Sequence, residues 1–362
     1  MNYNRRYLTL LLLLLVGQTG CQHYGPRSIM EDRLKYNHAI AESWKEQALL
    51  NIVKMRHMDP LFFVDVPQIT SGYTLQGTGS AIGGIYPPTN PAASIAQQLG
   101  LNVSLQGAYQ DRPTISYAPQ TGSQFIRNLT TPINPGSVLY LLQSGYPADV
   151  VFNLTVDSIN GVRNRSFSGG QLRPADPEFT RVVQIIRKAQ IAGHVGIRVE
   201  QDKDKRDSVA FFFRDADVAP DLALELAWVR KTLRLDTERR DFRVVFGGTP
   251  SSPNEIAILS RSVIRIIAEL AGYVDGPVAH QDYVGATSTT DAASSEPQMF
   301  RVYCGAKKPM NPFTSVCYEN HWYWIDKSDF YSKRTMGYLL ILLALADTGA
   351  KENLPVITIQ AN

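Results

Sequence analysis

Capped helices and alternating strands recur in one order through the second half of the chain. Asp176-Pro177 reads as an N-cap followed by proline at the first helical position. It opens a helix faced by Phe179, Val182, Val183 and Ile186 that stops at Gly193. Val195, Ile197 and Val199 then alternate as a strand, Val209–Phe213 forms a second, and Leu222, Leu226, Val229 and Leu233 space a helix before the strand Phe242–Phe246. Ser252-Pro253-Asn254-Glu255 has the spacing of a capping box, and Ile256, Leu259, Val263, Ile266 and Leu270 follow at helical intervals up to Gly272. Two strands, Phe300–Cys304 and Ser315–Trp324, a helix over Ser328–Ala346 and a strand at Val356–Ile359 complete the order.

Both stretches close their first helix on Ala-Gly and reach their second through an aromatic strand followed by Asp215 or Asp326. Each aspartate is placed to cap the next helix. With Val150–Val156 as a leading strand, the expectation is an α+β chain carrying a duplicated split-βαβ, ferredoxin-like unit, residues 148–250 and then 251–362. The Ser-, Thr- and Ala-rich run Gly285–Pro297 is then a loop inserted in the second unit.

The region 29–147 differs. Ile40, Trp44, Ala48, Ile52 and Met55 predict a long helix from Ile29 to Met55, ended by Asp59-Pro60. Beyond it, residues 71–82 and 101–110 alternate with period two and carry no charge. Gly83–Pro91 and a short helix at Ala92–Leu99 separate them, and helical pieces at Ser123–Asn128 and Pro135–Gln143 follow.

The N-terminus sets the location. Arg5 and Arg6 precede the apolar run Tyr7–Val16, and small residues lead to Cys21. The run is shorter than the ~20 apolar residues a spanning helix needs, so residues 1–20 read as a signal peptide. Ending on Gly20-Cys21, the segment resembles a bacterial lipoprotein signal and departs from it at Gln18, where that family carries an aliphatic residue. The resemblance implies lipidation of Cys21, a tether over 21–28 and, with Gln22 next, an outer-membrane lipoprotein facing the periplasm. Without residues 1–20 the formal charge falls from +3 to +1. That near-neutral balance, with its cations scattered, argues against a nucleic-acid surface.

Glu46–Val53 and His321–Asp329, running on to Lys333-Arg334-Thr335, resemble segments of a family of uncharacterised bacterial lipoproteins. The resemblance implies lipid anchoring and brings no catalytic residues.

Little in the chain points to catalysis. Nucleophile-elbow, zinc-protease and phosphate-loop motifs are missing, the six histidines are isolated, and no His or Cys pair has zinc-ligand spacing, so no metal or cofactor is expected. Cys304 and Cys317, on strands either side of a Lys-Lys-Pro-Met-Asn-Pro turn, are candidates for a cross-strand disulfide, with two buried free thiols as the alternative. On one strand, His321 and Tyr323 share a face and Trp322 and Trp324 the other. The expected arrangement buries the tryptophans and leaves His321 in water; a sugar or peptide platform is the functional alternative.

Three readings of function follow. The first is a non-enzymatic, lipid-anchored interaction or assembly component of the envelope, with a protein or envelope polymer as partner. The second is an oligomeric pore or export lipoprotein contributing one hairpin, 71–82 and 101–110, per subunit. It is disfavoured by a thin apolar face, because Gly77 and Gly79 add little burial. The third is an envelope hydrolase built around His321.

Overall fold

The computed structural model describes residues 24–70, 72–85, 99–168, 171–201, 207–214, 217–276, 299–346 and 357–360. The signal peptide, Cys21, the short helix expected from Ala92, Asp215 and the inserted loop 285–297 lie outside the described residues, apart from Leu99, which begins a strand. The chain is α+β, and its contacts divide it into two units: residues 1–61 with 123–349, and residues 62–122 with 350–362.

The first unit begins with α1 (Tyr24–Arg56), helical already where a tether was expected. Ala48, Leu49, Ile52 and Val53 are buried in its last turns, and Met58 at φ +61° turns the chain out of the helix. Then come α2 (Gly122–Thr130), α3 (Pro135–Gln143) and α4 (Ala148–Thr155). β5 (Val156–Ile159), β6 (Val162–Arg163), β7 (Ser166–Ser168) and β8 (Gln171–Arg173) precede α5 (Pro177–Ile191), β9 (Val195–Gln201), β10 (Asp207–Phe213) and α6 (Pro220–Thr232). After β11 (Asp241–Phe246) and β12 (Glu255–Ser260) stand α7 (Val263–Ala271), β13 (Tyr303–Gly305), β14 (Thr314–Tyr318), β15 (His321–Ile325) and α8 (Phe330–Ala346). β1–β4 and β16 belong to the second unit and are given with it below.

A six-stranded sheet in the order β6-β5-β12-β11-β10-β9 organises this unit. Leu139 of α3, Phe152 of α4 and Ile186 of α5 meet one sheet face at Ile159, Phe211, Phe213 and Ile258, so helix and sheet form two layers around one core. α5 starts and stops as its sequence predicts. Pro177 stands at its first turn and Gly193, at φ +74°, lets the His194 N–H reach back to the Ala189 carbonyl at 2.8 Å. The Asp176 carboxylate instead accepts from the Arg163 N–H at 2.7 Å and ties the helix start to β6.

Two expectations are corrected here. Val150–Val156 is not a leading strand: Ala148, Val150, Val151, Phe152, Leu154 and Thr155 are all buried in α4, and an element covered on nearly every side shows no informative period. Nor does a helix begin at Ser252. Glu255–Ser260 is a strand, parallel to β11 and antiparallel to β5 in the middle of the sheet. The parallel pair β11–β12 is joined by only eight residues, 247–254, with no crossover helix. Eight extended residues reach about 26 Å, enough to retrace a six-residue strand.

The second half therefore does not repeat the first. β12 completes the sheet of the preceding segment, and the pair bearing the cysteines lies in a separate antiparallel sheet, β13-β15-β14. Buried residues of α7 and α8, including Ile266, Leu270, Leu339 and Leu342, form the remaining core with the last turns of α1.

In the second unit, β1 (Phe63–Thr70), β4 (Thr114–Gln120) and β16 (Ile357–Gln360) form an antiparallel sheet in the order β1-β4-β16. Among the described residues, β2 (Tyr73–Ile85) and β3 (Leu99–Asp111) pair only with each other, residue for residue, from Tyr73 opposite Asp111 to Ile85 opposite Leu99. Next to the first register pair of this hairpin, the Gly72 backbone carbonyl accepts from the Arg112 N–H at 2.9 Å.

Candidate functional site

The sheet β13-β15-β14 separates the residues that the sequence singled out. Tyr303 and Gly305 on β13 stand opposite Trp324 and Trp322 on the central strand, and Ser315 and Cys317 on β14 face the same two tryptophans. This face is the outer one, reversing the expectation: Tyr323 and Ile325 are buried, while Trp322 and Trp324 are half-exposed. Trp324 stacks on Tyr303 at 5.7 Å, Arg301 lies over the Tyr303 ring at 4.5 Å and Lys308 over Trp322 at 5.1 Å. A Cβ on Gly305 would come within 3.3 Å of the Trp324 ring, so the missing side chain is what lets the indole lie across the edge strand.

The disulfide expectation is corrected by the same register. Cys304 is opposite Tyr323 and Cys317 opposite Trp322, on the two strands flanking β15. Two strand spacings put them about 10 Å apart, and neighbouring positions on β15 face opposite ways, whereas a disulfide needs Cα atoms within ~7 Å. Both cysteines are free, Cys317 exposed and Cys304 partly covered.

On the inner face a cluster forms that sequence spacing could not reveal. His57, one residue past α1, places Nε2 3.0 Å from the Tyr323 hydroxyl and Nδ1 3.8 Å from the Glu319 carboxylate. Its ring tilts against Tyr318 at 5.2 Å, and the Tyr318 hydroxyl donates to Asp59. Tyr323 also hydrogen-bonds with the Cys304 thiol. Burial pushes both Tyr323 and Cys304 above their ordinary ranges, so at neutral pH the phenol and the thiol keep their protons. A protonated, half-covered thiol is a poor nucleophile; the cluster joins the end of α1 to the sheet through hydrogen bonds. His321 stays apart, its Nδ1 3.0 Å from the Glu319 carbonyl. Asp326 caps the turn before α8, accepting from the Ser328 N–H at 2.7 Å, while Asp329 caps α8 itself through Ser332 at 3.0 Å.

The hairpin β2–β3 has a different kind of organisation. Residues directly opposite in an antiparallel ladder share a face, so one face carries the pairs Leu75/Tyr109, Gly77/Gly107, Gly79/Leu105, Ala81/Val103, Gly83/Leu101 and Ile85/Leu99. The other carries Thr74/Gln110, Gln76/Ala108, Thr78/Gln106, Ser80/Ser104, Ile82/Asn102 and Gly84/Gly100. The first face is apolar from Leu75 to Ile85 and the second mostly hydroxyl and amide residues. The sole charge in either strand is Asp111, at one end beside Tyr73. Thirteen residues per strand extend about 43 Å.

Among the described residues no helix is long and apolar enough to cross a membrane, and no group of three or more His, Cys, Asp or Glu could hold a metal ion. Compared with protein-family models, curated proteins and solved structures, the chain matches none.

Proposed function

We propose that this chain is a lipid-anchored envelope protein that assembles into a ring, each copy inserting the hairpin β2–β3 into the outer membrane to build a β-barrel pore. The observation that carries the reading is the face segregation of that hairpin over thirteen register pairs. An apolar face toward lipid and a polar face toward water is the pattern of a transmembrane barrel strand pair, and the strands exceed the ~9–11 residues such a strand needs. Pairing adds Leu99, Leu101, Ile85 and Tyr109 to the face that Gly77 and Gly79 alone leave thin. Open strand edges cannot remain in hydrocarbon, so one hairpin requires neighbouring copies.

Planar-bilayer recording on the detergent-extracted, lipidated protein tests this. Discrete channels are expected, with single-channel current altered by a charged thiol reagent in Ser104→Cys and unaltered by the same reagent in the wild type. Leu105→Arg, at a cost of ~2–4 kcal/mol per copy near the bilayer centre, should abolish the channels while leaving the α+β unit folded. Absence of channels from the purified oligomer would remove the pore. It would leave an assembly component of the envelope, for which the cation-flanked aromatic face of Tyr303, Trp322 and Trp324 is the contact surface.

A further inference from the structure

We infer that the outer face of the sheet β13-β15-β14, together with the loop 306–313 that joins β13 to β14, docks on an anionic bilayer surface. By register this face carries Tyr303, Trp322 and Trp324, with Cys317 beside Trp322. β13 ends opposite Trp322 and β14 begins opposite Ile325, so the loop has to cross the central strand β15. It passes on the outer side, because Lys308 lies over the Trp322 ring at 5.1 Å. Pro309 and Pro312 stiffen it around Met310, which is 97% exposed. An apolar tip held out in water, half-exposed indole rings behind it and lysines at its base are the parts of an interfacial anchor. The tip enters the headgroup boundary, the rings lie at headgroup level and the cations meet phosphate.

Charge selects the occupant. Lys307 and Lys308 are exposed and have no acidic partner among the described residues. Lys327 reaches the same loop at Asn311, 3.3 Å away, and Lys333 is held to the Lys327 carbonyl at 2.9 Å. The acids nearby are already engaged: Asp275 lies 3.4 Å from Arg301, while Asp326 and Asp329 accept from Ser328 and Ser332. The excess of positive charge is complementary to lipid phosphate, and each lysine near an anionic surface favours contact about fivefold. A stacked sugar needs a bare ring face. Tyr303 already has Trp324 stacked on it and Arg301 over it, and Trp322 has Lys308. The inference rests on the proposed envelope location, which brings the chain to a bilayer, and on no residue of β2–β3.

The test reconstitutes the full-length, lipidated protein in vesicles containing lipid brominated near the headgroup. Trp44→Phe and Trp228→Phe leave Trp322 and Trp324 as the reporters. Their fluorescence should be quenched in vesicles of mixed phosphatidylglycerol and phosphatidylcholine, and should recover in phosphatidylcholine alone or at high salt. Lys307→Gln with Lys308→Gln should shift the equilibrium from docked to free roughly 25-fold, the product of two fivefold factors, with an unchanged circular dichroism spectrum. Tryptophans left unquenched by the anionic vesicles would overturn the inference, and that is the result a protein or glycan on this face would give. Quenching that is equal in neutral vesicles, or that survives the two substitutions, would overturn it too. Channels with unquenched tryptophans leave the pore and remove this contact, whereas lysine-dependent quenching without conductance leaves the contact and removes the pore.

Discussion

Arg261, wholly buried, donates through Nε to a carboxylate oxygen of Asp157 at 2.7 Å, joining the segment before α7 to strand β5. Its other donors reach the carbonyls of Asn153 at 3.0 Å, Leu154 at 3.2 Å and Arg165. Glu269, near the end of α7, accepts from Arg165 at 2.5 Å and from the Phe167 N–H at 2.6 Å. Together they fasten the small β7–β8 arm to α7, with Gly272 leaving room for the Phe167 ring.

Removing Arg261 takes a donor from four acceptors at once, Asp157 and the carbonyls of Asn153, Leu154 and Arg165, and of these Asn153 keeps Asn164 Nδ2 at 2.9 Å while Asp157 keeps only the Arg265 guanidinium at 3.8 Å. Arg261→Met should therefore lower the unfolding free energy by about 3–5 kcal/mol, the scale for breaking a buried, hydrogen-bonded ion pair. Arg261→Lys should recover little, because an ammonium cannot span the same acceptors as a planar guanidinium. Urea midpoints decide it, and a loss below about 1 kcal/mol for Arg261→Met would show that the network contributes no net stability.

Alkaline pH should destabilise this unit through its buried tyrosines. Burial holds Tyr273 and Tyr338 above the ordinary tyrosine range, and no hydrogen-bond partner reaches the Tyr338 hydroxyl among the described residues. The unfolded chain loses these protons near pH 10 and the folded chain later, so stability is full below pH 10. It falls as pH rises from there toward the folded value, at about 1.4 kcal/mol per pH unit for each tyrosine. Tyr338→Phe removes one such contribution and an unsatisfied hydroxyl, so it should cost little at pH 7 and flatten the decline above pH 10. An unchanged decline in the variant would show that Tyr338 ionises equally easily in both states.

The register of β13-β15-β14 keeps Cys304 and Cys317 too far apart to bond to each other. Denatured, unreduced protein should yield two reactive thiols from Cys304 and Cys317. In the native fold Cys317 should react first, because Cys304 is partly covered and its thiol is held protonated. Protein from an oxidising compartment that shows neither thiol would contradict the strand order.

Where one face of an element is wet, the sequence already contained the answer; where both faces are dry, it did not. α5 was legible because Pro177 and Gly193 punctuate a helix whose outer face is polar. β12 was not, because Ile256, Ala257 and Ile258 are all buried between β5 and β11, and such a run reads equally well as helix or central strand. The capping signal before it is real as local chemistry: Glu255 accepts from the Ser251 N–H at 3.0 Å, yet the turn feeds a strand. The hairpin's alternation was visible in each strand, but its apolar face became continuous only once the register set Leu105 opposite Gly79 and Leu101 opposite Gly83. His57 and Tyr323 lie 266 residues apart, and nothing local to either marks the pair.

The polar face of β2–β3 makes the last prediction. In the proposed barrel the lumen would repeat Thr74, Gln76, Thr78, Ser80, Ser104, Gln106 and Gln110 in every copy, giving donors and acceptors for water and no fixed charge along the bore. Ion selectivity in such channels comes from rings of charged side chains, so this lumen should pass potassium and chloride alike and suit uncharged hydrophilic solutes equally. Under a tenfold KCl gradient the reversal potential should sit near zero. Gln106→Glu then adds one carboxylate per copy at a single level and closes a ring of negative charge, which should move the reversal potential toward that of potassium. The same substitution one position earlier, Leu105→Glu, puts the charge on the lipid face and should reduce insertion rather than change selectivity. A strongly selective wild-type channel, or a Gln106→Glu channel indistinguishable from it, would mean that this face of the hairpin does not line the bore.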